Sequence, residues 1–262
     1  MKYGKLMLFW WIALPVSLLM RLFQLFFTVD RGTGFFLQEQ KTVGVVLTVL
    51  IGVFCAVSVI LAFTSHRRPE HPPKKNLPIA LGALLAAAAT GHELVRESFS
   101  GTVLRWQLTL LAVAGVAAVA WFAAFGLSQI LPLRVPPVLA AIPAFYMVIR
   151  IICAFTSISS LALISDNLLL MAAYCTALLF FIQLGKLYNG LEGDSNFRKL
   201  LASGLAAVLL CLTQSIPHIV INLCTEGYHH TSDAANASVL AYGVLILAFT
   251  LSHFSKRNME AV

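Results

Sequence analysis

Charged residues make up only 11% of this 262-residue sequence, against 59% hydrophobic, where an ordinary soluble domain carries roughly 25% charged residues. A soluble globule is excluded. Recognised catalytic and nucleotide-binding motifs are lacking as well: there is no CxxC, GxGxxG, Walker loop, HExxH or heptad run, so no catalytic residue, cofactor or metal ligand is assigned. The cysteines do not form a disulfide framework, because Cys55, Cys153, Cys175 and Cys211 fall inside apolar runs and only Cys224 reaches a surface. Long polar stretches are also missing. The connections are too short to hold a soluble domain, and residues 1–262 read as one integral membrane domain.

What the sequence has in quantity is apolar runs of about 20 residues, the length a helix needs to cross the hydrocarbon core. Eight are found, at approximately 6–27, 43–64, 77–95, 107–131, 137–159, 165–185, 200–223 and 235–254. The fold class is therefore all-α, a polytopic transmembrane bundle of about eight helices. Lys2 and Lys5 give the first run the look of a signal peptide, but no small-x-small cleavage site follows and Arg21 interrupts its end, so it reads as a retained helix.

The formal charge of +7 would suggest nucleic acid in a soluble protein, but here it is an orientation signal. Lys2, Lys5, Arg67, Arg68, Lys74, Lys75, Arg134, Lys186, Arg198, Lys199, Lys256 and Arg257 fall on one side of the eight-helix arrangement. Only Arg31, Lys41, Arg96 and Arg105 fall on the other. The positive-inside rule then puts both termini in the cytoplasm of a cell membrane. The expected partners are membrane lipid and a small-molecule ligand from the outer side, with no nucleic acid and no named protein partner. The basic segment 66–75, with Pro72 and Pro73, is the best surface for anionic lipid or a protein.

Small residues four apart let helices approach closely in lipid. Gly82, Ala86 and Thr90 in helix 3, with Ala114, Ala118, Ala120 and Ala124 in helix 4, predict tight packing of these two helices. Three prolines lie inside spans, Pro15, Pro143 and Pro217. Each would free the carbonyl four residues earlier. Pro217 is the most suggestive, because the freed carbonyl is that of Thr213, beside Gln214 and close to His218.

Ionisable groups at membrane depth cost on the order of 2.5–3.5 kcal/mol near a helix centre on insertion scales, so each needs a partner or water. Arg21 lies roughly 9 Å and Arg150 roughly 13 Å from the outer helix ends, at 1.5 Å per residue. Snorkelling could rescue Arg21, whereas Arg150 calls for a buried counter-ion, Glu93 or Asp166. Helical spacing puts Ser17, Arg21 and Gln24 on one face of helix 1, Tyr146, Arg150, Cys153 and Ser157 on one face of helix 5, and Gln214, His218 and Asn222 on one face of helix 7. Helix 3 adds His92, Glu93 and Glu97 near its outer end. Asp166 after Ser165, and Asp233 after Ser232, read as N-caps of helices 6 and 8. The Asn236-Ala237-Ser238 triplet matches the glycosylation pattern but lies at the membrane surface, so it carries no weight.

These polar positions gather in the outer halves of the helices. The expectation is a polar cavity open to the outside, with Arg21, Gln24, His92, Glu93, Arg150, Gln214, His218 and Asn222 as ligand-binding residues. The two guanidinium groups suit an anionic group, so the leading function is binding or transport of a small, anionic solute or a lipid headgroup. The alternatives are an intramembrane enzyme acting on a lipid, with His92, Glu93 or His218 as base, and a non-catalytic sensor or assembly subunit. Haem ligation by His92 and His218 is a weaker reading, since four core histidines are lacking. A weak four-plus-four parallel repeat is suggested by the offsets Arg21 to Arg150 and His92 to His218, 129 and 126 residues.

Overall fold

The computed structural model describes residues 3–30, 36–64, 76–100, 105–133, 135–157, 164–191, 194–224 and 233–253. They form α1 (Tyr3–Phe23), α2 (Lys41–Phe63), α3 (Leu77–Ser100), α4 (Arg105–Ser128), α5 (Ile142–Ser157), α6 (Ile164–Tyr188), α7 (Asp194–Cys224) and α8 (Asp233–His253). All eight, counted with their short flanking turns, are long and apolar enough to cross a membrane. The chain is a multi-pass helical membrane protein. Among the described residues the only β-pairing is an isolated bridge between Val29 and Phe36. The basic segment 66–75 and Ser232 lie outside the described residues.

Consecutive helices run in opposite directions. One end of the bundle, here called distal, holds the C-terminal ends of α1, α3, α5 and α7 and the N-terminal ends of α2, α4, α6 and α8. The helices α3 to α8 form a closed ring, each packed on its chain neighbour, with α8 returning to α3. The ring is a filled core. Phe122 stacks on Tyr242 at 5.8 Å and meets Phe181 edge-on at 5.7 Å, so aromatic rings occupy its centre. Both α1 and α2 pack on α7, which leaves α7 the most enclosed span and α2 the least. The two halves therefore pack differently. While α7 meets α1, α2, α6 and α8, its counterpart in a four-plus-four repeat, α3, packs chiefly on α4 and α8.

Close helix approach rests on small residues, and their direction differs from the expectation. A methyl group on Gly82 would lie 2.9 Å from Leu245 Cα, so this glycine admits α8 rather than α4. Thr90, two turns further, shares a 2.7 Å hydrogen bond with Tyr242 of α8. The α3 to α4 contact does form, through Gly126, whose added Cβ would sit 3.0 Å from the Ala80 carbonyl oxygen. Several hydroxyls inside the apolar helices donate to carbonyls four residues back, as Ser58 does to Phe54 and Thr250 to Ile246, which satisfies them without a partner helix. Pro143 is the second residue of α5, after a 3-10 turn over Pro137–Ala141. At a helix start it has no intrahelical bond to remove, so it does not kink the span.

Candidate functional site

Two polar clusters occupy the distal half of the bundle. The first is built where α1, α6 and α7 meet. Helices α1 and α7 run parallel: Trp10 Nε1 donates to the Leu205 carbonyl at 3.2 Å, and Leu25 packs with Ile221 in nearly the same register. This register brings the Ser17, Arg21, Gln24 face of α1 to the Gln214, His218 face of α7. Arg21 is fully buried and donates to the carboxylate of Asp166 and to the side-chain oxygen of Gln24. His218 Nε2 lies 3.8 Å from the same Asp166 oxygen. Arg21 thus does not snorkel. Enclosed by protein, the guanidinium loses its hydration, and the Asp166 carboxylate offsets part of that cost.

Beyond Arg21, the helix widens into a π turn over Gln24–Thr28. Such turns shift side-chain direction and concentrate at functional sites. Here the turn aims Gln24 at α2, where its Nε2 donates to the Gly44 carbonyl at 2.7 Å and to Thr48 Oγ1 at 2.8 Å. Asp166 sits in the first turn of α6, which begins at Ile164, and its carboxylate faces Arg21. It is a buried counter-ion rather than the N-cap the sequence suggests.

One layer deeper, the hydrogen bonding is incomplete. Ser17, Thr213 and Gln214 are fully buried. The two hydroxyls and both ends of the Gln214 carboxamide have no hydrogen-bond partner among the described residues. Pro217 within α7 adds the freed carbonyl of Thr213 to this set. Each buried polar atom left unpaired costs on the order of 1–3 kcal/mol.

The second cluster lies in the ring. Arg150 of α5 donates to Glu93, to Glu97 at 2.7 Å and to Tyr174 OH at 2.9 Å. Its Cζ also lies 5.4 Å from the Tyr174 ring centroid. Glu93 is fully buried, and its second oxygen accepts from Ser238 of α8 at 2.7 Å. One guanidinium therefore ties α3, α5 and α6 together, and Glu93 extends the tie to α8. Glu93 is the counter-ion expected for Arg150, whereas Asp166 belongs to Arg21. Tyr174 and Ser238 escaped the sequence reading. Tyr174 lies eight residues beyond Asp166 in an otherwise apolar stretch, and Ser238 was hidden in a triplet that matches a glycosylation pattern.

Two expected site residues lie elsewhere. His92 is exposed on the outside of α3, one residue from buried Glu93 but on another face. It cannot join His218 as a second axial ligand without rotation of α3. Asn222 is half-buried and donates to Asp233, tying the end of α7 to the start of α8. Among the described residues no group of three or more His, Cys, Asp or Glu is placed to hold a metal ion. Comparison with family models, curated proteins and solved structures finds no match.

Proposed function

We propose that this protein binds a small polar solute from the distal side and moves it across the membrane, using the junction of α1, α6 and α7. The observation that carries this reading is Gln214, which is fully buried with both ends of its carboxamide unpaired. Buried amides in folded proteins find partners, so a polar occupant is expected beside it. Ser17, Thr213 and the carbonyl freed by Pro217 add neutral acceptors and donors at the same level. Both arginines already hold carboxylates, which favours a neutral or zwitterionic solute over an anion. The distribution of basic residues supports a plasma-membrane orientation with the distal end outside. Reporter fusions at the two termini should both report cytoplasm, and a periplasmic or extracellular signal from either would reverse the orientation.

Solute binding requires that water-soluble molecules reach this layer. Ser17→Cys, introduced into a variant whose native cysteines are replaced by Ala, tests access with a permanently charged methanethiosulfonate reagent. Modification in intact membranes is the expected result. Modification only after denaturation would show a sealed layer and end the reading.

A further inference from the structure

At the end of the bundle opposite both polar clusters, a cavity of about 140 Å³ opens between α4, the segment leading into α5 and the end of α6. Its walls include Trp121, Phe125, Pro136, Ala140 and Tyr188. The Trp121 and Phe125 rings are stacked at 4.8 Å and 7°, and Tyr188 stands edge-on to Phe125 at 5.7 Å. This is a flat-sided aromatic slot. It lies at the opposite end of the bundle from the α1, α6, α7 junction, with Asp166 at the start of α6 and Tyr188 at its end, so it is independent of the solute site proposed above.

One polar group in this wall is unused. Trp121 is only 3% exposed, yet its indole N–H has no acceptor among the described residues. Buried indole N–H groups normally find an acceptor. The Ser128 hydroxyl, which donates to the Phe125 carbonyl at 2.7 Å, accepts no hydrogen bond from Trp121. The named walls contain no carboxylate, which leaves a cation without a counter-ion. An apolar cavity of about 150 Å³ is enough to hold benzene, so the volume is that of a single ring, and a small substituent extends toward the open mouth.

We infer that this slot is a second binding site, for a compact neutral single-ring molecule carrying one hydrogen-bond acceptor, such as an aromatic ketone. The ring lies against the aromatic and proline walls, and the Trp121 N–H donates to the carbonyl.

The test compares two probes of the same shape, para-fluoroacetophenone and para-fluoro-α-methylstyrene, by fluorine NMR line broadening on the detergent-solubilised protein against detergent alone. Saturable broadening of both is expected, with the ketone bound about fivefold more tightly through its hydrogen bond. Trp121→Phe keeps the ring stack and should remove that preference while both probes still bind. Ala140→Leu fills the slot and should abolish both signals. No saturable broadening by the wild-type protein, equal affinity for the two probes, or an unchanged preference in Trp121→Phe would each overturn the assignment. The solute site can fail its cysteine-access test without affecting these outcomes, and the reverse holds.

Discussion

Arg21 of α1 and Asp166 of α6, 145 residues apart in the chain, form an ion pair with almost no exposure of either side chain. The pair joins α1 to α6 in the distal half of the bundle. Gln24 accepts from Arg21, and His218 lies beside Asp166.

Because the pair is enclosed, removing one partner strands the other. Arg21→Met should destabilise the solubilised protein by about 3–5 kcal/mol, whereas Arg21→Met with Asp166→Leu should recover most of that loss. Thermal or denaturant unfolding of the two variants measures the difference. Equal stability of the single and double variants would show that the pair carries no such coupling.

Arg150 serves Glu93, Glu97 and Tyr174 at once through a planar fork. Lysine keeps the charge but offers a single point of contact. Arg150→Lys should therefore lose about 1–3 kcal/mol, the scale of a hydrogen bond to a charged group. Glu97→Gln should cost less than Glu93→Gln, because the Glu97 side chain is 17% exposed and that of Glu93 is fully enclosed. The reverse order would mean that Glu97 carries the cluster.

Gln214 sets stability against binding. If its unpaired carboxamide is kept for a solute, Gln214→Leu should stabilise the solute-free protein by about 1–3 kcal/mol, through removal of an unsatisfied buried amide. The same change should abolish transport in a reconstituted assay once the solute is found. A clear loss of stability would show that Gln214 has a structural partner.

Two glycines separate packing from propensity. At Gly82 an added methyl meets the α8 backbone at 2.9 Å, and at Gly52 it meets nothing within 4 Å. Gly82→Val should cost on the order of 1–3 kcal/mol by overpacking. Gly52→Ala should gain roughly 0.5–1 kcal/mol from helix propensity. Unfolding midpoints of the two variants check both signs.

The eight spans were legible because membrane burial writes itself into local composition. A run of about 20 apolar residues reads as a span whatever it packs on. Ends were less legible where polar residues extend a helix beyond its apolar run. Thus α3 continues to Ser100 and α7 begins at Asp194, since helical hydrogen bonding does not require apolar side chains. The faces of α1 and α7 were also readable, because Ser17, Arg21, Gln214 and His218 follow helical spacing.

The sequence alone determined that this is an all-α membrane protein, that its buried charges concentrate in one half of the bundle, and that Arg150 needs a buried carboxylate. It could not say which carboxylate, or that His92 turns outward while Glu93 turns inward. Pairing depends on which helices become neighbours, and small residues such as Gly82 favour close approach without naming the partner. Only the tertiary structure gave Arg21 to Asp166 and Arg150 to Glu93, Glu97 and Tyr174. The physical reason is that in lipid every span satisfies its own backbone and apolar surface. What distinguishes one helix arrangement from another is then left to side-chain shape and a few polar contacts, all of them long-range in the chain.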